Sequence, residues 1–411
     1  METETMKPKI IFPFTKNSDN LTHDTITEYT KFGYIKEGKE FLDTSLGNCG
    51  SFMLGFDRTD ILDSVNLSLR DIPFVSGEYM SSTAATVELS ERLYNISDRF
   101  YSFYSTSGSD AIEGAIKAAR VYHMSRGNND KHIVLGISES YHGSTYLSSS
   151  VSGGSFMTRN LGRSNLCKTI PRSDNSDILL KNVANKIDEY RSENISCLVI
   201  ESCSWLGGVT PYNDKFWESL KILCEKNDIL LVIDDIAMCG GKTGKMLGFD
   251  IRPDIFVMGK ALSGGYFPLS VCLVSEEVFE TIKEEFWTHG FTYSFSLSGI
   301  YSTIKYLNIL ESEKIFDNYT RVYNTALSVI DNLVKDNVIK SYTNYGLYFN
   351  LKFHPVSDIL LAQKYFFENG LNVGIQNYEW KGLRVIIPLT ANNDYFDQLD
   401  SRLRCALRLG A

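Results

Sequence analysis

With 411 residues, 43 % of them hydrophobic and 22 % charged, the chain can bury a large core and has room for two domains, or one large domain with a smaller companion. A net charge of −9 and a sequence pI near 5.3, with no basic cluster anywhere, exclude an extended nucleic-acid surface. The N-terminal METETMKPKI has no apolar signal-peptide core and no apolar run reaches the ~20 residues of a membrane span, so the expected compartment is the cytoplasm, without a membrane partner.

In chain order, residues 1 to about 50 lack helical periodicity. Phe12-Pro13-Phe14 reads as an extended entry segment, and Glu40–Asp43 as a short strand before the glycine-bearing loop Gly47-Asn48-Cys49-Gly50. Thr83 to Leu93 has helical spacing, and Tyr101 to Tyr104 is strand-like. Between that strand and a helix over Ala111–Tyr122 lies Thr106-Ser107-Gly108-Ser109-Asp110. Small hydroxylated residues and a glycine opening a helix suit a phosphate, because the first N–H groups are unpaired and the helix dipole favours an anion. The plainer reading is a capping box, Ser109 as cap with Glu113 just inside.

His132 to Ile137 reads as a strand leading to Ser140-Tyr141-His142-Gly143. Gly153 to about Arg172, rich in Ser, Asn and Arg, reads as a surface excursion. Leu198–Glu201 is a buried strand ending on an acid, followed by the glycine-bearing loop from Trp205 to Val209 and an amphipathic helix, Lys215 to Lys226. The apolar run Ile229–Ile233 then ends on Asp234-Asp235, and a second run, Ile255–Met258, delivers Gly259-Lys260 before the flexible turn Ser263-Gly264-Gly265. Strand-helix-strand alternation with short links predicts an α/β fold with a mainly parallel sheet, whose carboxyl edge is where ligands bind.

Leu269–Val274 is one more strand, Ser298–Glu313 and Asn318–Lys335 are helices, and the first of these is expected to link two domains. The last stretch alternates a period-two segment Tyr345–Phe353, a helix Ile359–Asn369 and a strand Leu383–Pro388. Eight cysteines without C-x-x-C spacing read as reduced core thiols, not a metal site.

An acid and a lysine at the carboxyl ends of neighbouring strands suit pyridoxal phosphate chemistry. The lysine forms an imine with the cofactor aldehyde, and the aspartate keeps the pyridine nitrogen protonated. Taken singly, each residue is more often a turn lysine or a helix cap. Together, D-D-I-A followed by G-K-A-L-S-G-G resembles the class III (fold-type I) pyridoxal phosphate-dependent aminotransferases, over most of the chain. Within that family G-K-A-L-S-G-G and H-G-F-T-Y most resemble the diaminopelargonic acid synthases.

The resemblance implies a large cofactor-binding domain (51–300), a small α+β domain (301–411), and an N-terminal segment (1–50) shared between the small domain and the active-site rim. It implies ping-pong amino transfer from a small-molecule amine donor to a carbonyl acceptor, with Lys260 and Asp234 catalytic. It assigns Gly108 and Ser109 to the cofactor phosphate, Tyr141 to one ring face and Ile236 to the other. Thr292 would reach the phosphate of a partner in a homodimer with shared sites. Phe14, Gly290 and Arg384 are the substrate-binding candidates. An arginine inside an apolar strand needs an anion, and a substrate carboxylate or an internal acid would serve equally.

Departures from the family pattern are Asp235 for its glutamate, Lys242 for its arginine, and Phe14 where the diaminopelargonic acid synthases carry a tyrosine. A P-loop at Gly241-Lys242-Thr243 fails because its first glycine would fall on Ile236. A racemase, decarboxylase or aminomutase on the same fold stays open.

Overall fold

In the computed structural model, which describes residues 10–11, 13–14, 26–77, 80–353, 365–375 and 382–408, the short apolar runs pair into one seven-stranded sheet. Its spatial order is Phe100–Ser105, Ser270–Ser275, Ile255–Met258, Leu230–Asp234, Ile195–Glu201, Ile133–Ile137, Cys167–Ile170. The last five pair in parallel, and Ser270–Ser275 runs antiparallel to both neighbours. The expected mainly parallel sheet is therefore present. The one reversed strand follows from its connection, because the link from Met258 to Ser270 holds only a 3-10 turn, Lys260–Ser263, and cannot make a crossover.

Both sheet faces are covered. Leu198, Ile200, Leu231 and Ile233 join one core, whereas Cys197, Val199, Leu230 and Val232 join the other. Side chains alternate with period two, so strands buried on both faces read as continuous apolar runs. The helix Gly108–Ser125 lies on the second face through Ala111, Ala115, Ala118 and Ala119, small residues that let it approach closely, with Ile112 and Ile116 as the larger contacts. Each fully buried Ile or Leu contributes about 1.5–3 kcal/mol relative to exposure.

Two smaller sheets flank this one. Ile26–Thr30, Gly33–Lys36 and Lys39–Asp43 form an antiparallel meander, and Leu371–Asn372 from the C-terminal part pairs with its last strand. Ser341–Tyr345, Tyr348–Lys352, Leu383–Ile386 and Gly374–Ile375 form the other, beside the packed helices Tyr319–Lys335 and Asn393–Arg408. The helix Leu297–Ser312 packs on Thr59–Asp71 and Ala84–Ile96.

Several elements differ from expectation. The region Gly153 to Arg172 is more than a surface excursion, since Cys167–Ile170 is the outer strand of the large sheet. Only its end residues are buried, and the half-buried Lys168 and Thr169 at this edge hid the signal. The segment Tyr345–Phe353 is not one strand: Gly346 and Leu347 turn a hairpin. Ser107, not Ser109, caps the helix Gly108–Ser125, accepting the Asp110 N–H at 3.2 Å. The glycine-bearing loop at Gly47 is a π-helical turn, Leu46–Gly50. Phe12 and residues 359–364 of the expected helix Ile359–Asn369 lie outside the described residues. Among the described residues no helix is long and apolar enough to cross a membrane.

One buried cation ties the amino edge of the sheet. The Lys131 ammonium, 6 % exposed, donates to the carbonyls of Ser192, Ile195, Asn227 and Asp228. Those carbonyls sit where Ile195–Glu201 and Leu230–Asp234 begin, and Lys131 itself precedes Ile133–Ile137. Burial lowers its pKa, while Asp228 opposes the shift. Three neighbouring strands thus start from one fixed point, which aligns their far ends. Lys131→Met is expected to remove about 1–3 kcal/mol of stability, the cost of stranding buried carbonyls, read as a lower urea midpoint. An unchanged midpoint would mean that these carbonyls do not depend on Lys131.

Candidate active site

The carboxyl ends of these strands converge on a cavity of about 370 Å³, walled by Gly108, Ser109, Tyr141, His142, Trp205, Asp234, Ile236 and Lys260, among others. Asp234 closes the strand Leu230–Asp234, and Glu201 closes its neighbour, in register with it. Lys260 follows Ile255–Met258 in a left-handed conformation, φ 47°, at the start of the turn Lys260–Ser263. A non-glycine residue there stores on the order of 1–3 kcal/mol of strain. The turn lifts the side chain off the strand axis, and its Nζ stands 5.1 Å from the centre of a Trp205 ring.

Asp234 is 5 % exposed and both of its oxygens are engaged. Oδ1 accepts the Ile236 N–H at 3.1 Å, and Oδ2 lies 2.8 Å from His142 Nδ1. A carboxylate only accepts, so opposite one Nδ1 is the donor. His142 Nε2 is buried without a protein partner. Around this pair the other acids are held towards neutrality. Burial, then repulsion from Asp234, raises Glu201 well above the usual carboxylate range. Its Oε1 accepts the Tyr141 N–H at 3.1 Å and fixes the backbone of that aromatic. Burial pushes Asp235 up to about 7 although Ser202 Oγ and the Gly248 N–H donate to it. Burial likewise brings the Lys242 ammonium down to about 8, with Lys260 adding repulsion. Asp234 is the carboxylate with its own buried donor at the cavity wall.

Another part of the cavity wall, at a helix N-terminus, suits an anion. The capped N-terminus of the helix Gly108–Ser125 reaches its wall. A Cβ at Gly108 would come within 2.6 Å of Ile236 Cδ1 and force that side chain to move. Gly143, at φ 135°, passes so close that a Cβ would meet Ser109 Oγ at 2.5 Å. Ser109 Oγ accepts the Ser144 N–H at 3.0 Å. Glu113 Oε1 accepts from Thr145 Oγ1, the Leu147 N–H and the Ser148 N–H, pinning the loop against the helix. Glu113 therefore caps the next helix, Tyr146–Val151, and not its own.

Of the residues expected from the sequence, Lys260, Asp234, Gly108, Ser109, Tyr141 and Ile236 share the cavity wall. The others lie elsewhere. Gly290 and Thr292 are exposed and outside the cavity of their own chain, although His289 docks the segment on Asp110 O at 3.2 Å. Phe14 is 62 % exposed and does not line the cavity. Arg384 is buried behind Trp205, its guanidinium 5.2 Å from the centre of a Trp205 ring. Sequence reasoning gave no role to His142, Trp205, Phe52 or Ser270, all on the wall. His142 sat inside the quoted Tyr141-His142-Gly143, but its partner lies 92 residues on.

The donor set fits pyridoxal phosphate. A lysine, a buried carboxylate with a histidine behind it, an aromatic and an aliphatic wall, and an anion-ready helix N-terminus face one space. The contacts that a Cβ at Gly108 or Gly143 would make show that this space is kept clear by sequence.

The sequence matches the family described as aminotransferase class-III over residues 15–407. An uncharacterized aminotransferase, y4uB, of Sinorhizobium fredii is 27 % identical over 345 residues, 76 % of this chain and 73 % of that protein. A putrescine–pyruvate aminotransferase of Pseudomonas aeruginosa is 26 % identical over 304 residues, covering 68 % of this chain and 66 % of the relative. The mitochondrial gamma-aminobutyrate transaminase 1 of Oryza sativa subsp. japonica is 26 % identical over 342 residues, covering 76 % and 66 %. Among solved structures, a transaminase from the marine bacterium Virgibacillus superposes with a TM-score of 0.90 at 22 % identity over 98 % of this chain and 97 % of its own. The omega transaminase of Pseudomonas jessenii in complex with PMP gives 0.91 at 21 % identity over 98 % and 96 %. With the family matched along almost its whole length and the fold shared, the chain belongs to the class-III aminotransferases, which are pyridoxal phosphate-dependent.

Proposed function

We propose that the protein transfers an amino group from a small amine or amino acid to a carbonyl acceptor in two half-reactions, with the chemistry centred between Lys260 and Asp234. The observation that carries this reading is their convergence on one cavity, with the His142–Asp234 contact of 2.8 Å behind the acid. Lys260 would hold the cofactor aldehyde, Asp234 its ring nitrogen, Gly108 and Ser109 its phosphate, and Tyr141 and Ile236 its two faces. Bound pyridoxal phosphate supplies an electron sink for the substrate carbon that carries the amine.

The chain's own residues do the rest. Lys260 Nζ takes the proton from that carbon and returns it to a neighbouring one, which its position at the cavity wall allows. His142 Nδ1 and the Ile236 N–H both donate to Asp234 and orient its carboxylate towards the cavity. Tyr141, held through its N–H by Glu201, is backed by the indole of Trp205, 5.9 Å from it on the cavity wall. Arg384, behind that indole, is the group we assign to a substrate carboxylate.

A homodimer completes the proposal. The exposed Phe74 packs on the exposed Tyr293, in the segment that carries Gly290 and Thr292, and an apolar surface of this kind is suited to a second copy. The motifs G-K-A-L-S-G-G and H-G-F-T-Y favour the diaminopelargonic acid synthase branch, whereas Phe14, which lacks a hydroxyl, speaks against its substrate. The relatives named for gamma-aminobutyrate and putrescine point instead to terminal primary amines, and the reading commits to amino transfer without one donor.

Adding candidate amines singly to the cofactor-loaded protein is expected to replace the visible cofactor band with the ultraviolet band of its aminated form. Deuterium exchange at the substrate carbon without that change would favour a racemase-type reaction. Lys260→Ala is expected to lower kcat by about a hundredfold or more while cofactor still binds; undiminished turnover would contradict its role. His142→Phe removes one charge-assisted hydrogen bond, worth about 1.5–3 kcal/mol, and is expected to cost roughly 10- to 100-fold in kcat. The same variant should move the pH at which the visible band changes, a readout that a merely structural histidine would leave alone.

A further inference from the structure

We propose that His289 is a positioning residue for the cofactor phosphate: held by Lys117, its imidazole locks Asp110 and thereby the loop Thr106–Ser109 on the cavity wall. This rests on the reading that Gly108 and Ser109 hold that phosphate, and it adds a group that does not touch it.

The loop is short and forms part of the wall. Thr106, Ser107, Gly108 and Ser109 all line the cavity, whereas Asp110, Lys117 and His289 do not. The strand Phe100–Ser105 ends just before the loop, and the helix Gly108–Ser125 begins within it. Asp110 ties its two ends together, because Oδ2 accepts from Ser105 Oγ at 2.7 Å and the backbone N–H donates to Ser107 Oγ at 3.2 Å. A fixed Asp110 therefore fixes the first N–H groups of the helix, the ones an anion would meet.

His289 supplies that fixing contact. The imidazole is buried, and within residues 288–293 it alone is. Its Nδ1 lies 3.0 Å from Lys117 Nζ, and its Nε2 lies 3.2 Å from Asp110 O and 3.6 Å from Asp110 Oδ2. An ammonium only donates, so opposite one Nδ1 is the acceptor, and opposite a carbonyl Nε2 is the donor. Both contacts call for the same tautomer, the one with its hydrogen on Nε2.

The helix carries a seat for this ring. Asp110, Gly114 and Lys117 are spaced by four and three residues and so share one helix face. Glycine destabilises a helix interior relative to alanine, yet a Cβ at Gly114 would meet His289 Cδ2 at 3.0 Å and Nε2 at 3.1 Å. The imidazole occupies the space a side chain would need. Phe103 and Trp287 flank it, their ring centres 5.3 Å and 6.0 Å from its own.

Charge gives a second reason for the arrangement. An aspartate in the first turn suits the helix dipole, but a carboxylate free to swing onto the cavity wall would repel a phosphate. Ser105 Oγ keeps Oδ2 off that wall, with His289 Nε2 close behind it. Loss of the imidazole would loosen the loop and release the carboxylate, and both changes weaken an anion while sparing the pyridine ring.

The test measures the Kd for pyridoxal 5′-phosphate and for pyridoxal, which lacks the phosphate, in the wild type, His289→Ala, His289→Gln and Lys117→Met. The phosphorus-31 resonance of each loaded enzyme is recorded alongside. His289→Ala is expected to weaken pyridoxal phosphate about 3- to 10-fold, the effect of one lost hydrogen bond, to leave pyridoxal unchanged and to move the phosphorus resonance. His289→Gln, whose amide can accept from Lys117 and donate to Asp110 O, is expected to restore both readouts. Lys117→Met leaves the imidazole in place without its donor and is expected to reproduce part of the loss, which keeps the test decisive if His289→Ala does not fold. Equal losses for the two forms, no phosphate-specific loss in either His289→Ala or Lys117→Met, or no rescue by His289→Gln overturns the proposal. A wild type that binds both forms equally would overturn the phosphate assignment beneath it as well. A wild-type preference for the phosphorylated form, kept in full by His289→Ala, would overturn the role of His289 alone.

Discussion

Charges taken out of water at one sheet edge have to be balanced there, and this requirement organises the whole site. Asp234, 5 % exposed, has a buried imidazole and a backbone N–H donating to it. Glu201 and Asp235, just as deeply buried, lack enough compensation and are driven towards the neutral form. Of three neighbouring acids, only Asp234 has both a buried imidazole donor and a place on the cavity wall. That asymmetry suits a ring nitrogen that has to stay protonated.

The same logic runs through the cations. Lys131 at the amino edge offsets its burial with four carbonyls and fixes where three strands begin. Lys260 is presented at the cavity wall by a strained turn, and Arg384 lies against Trp205 and donates to the Cys49 sulfur. Glycines at 108 and 143 contribute by absence, since a side chain at either would fill the space between helix, loop and Ile236. A parallel sheet with both faces buried supplies the rigidity on which such placement depends.

Much of this was legible in the sequence because its signals are local. The runs Ile229–Ile233 and Ile255–Met258 are apolar without interruption, so their ends, and with them Asp234 and Lys260, could be located to within a residue. The edge strand Cys167–Ile170 was not legible, because an edge strand with two half-buried polar residues looks like a loop. Nor was the cap, since Ser107 and Ser109 flank the same glycine and only backbone geometry separates them. Partnerships between distant segments escaped altogether: His142 with Asp234, Glu201 with the Tyr141 N–H, and Cys49 with Arg384 meet only after folding. Gly290, Thr292 and Phe14 lie away from the cavity of their own chain, so a single chain leaves their expected contacts unmade.

The central claim is that one lysine holds the cofactor opposite one aspartate. Its most direct measurement is borohydride reduction of the pyridoxal phosphate-loaded protein, followed by mass spectrometry of its peptides. The account expects a single pyridoxyl label, carried by Lys260. A label on Lys242 or another lysine, or none at all, would contradict it.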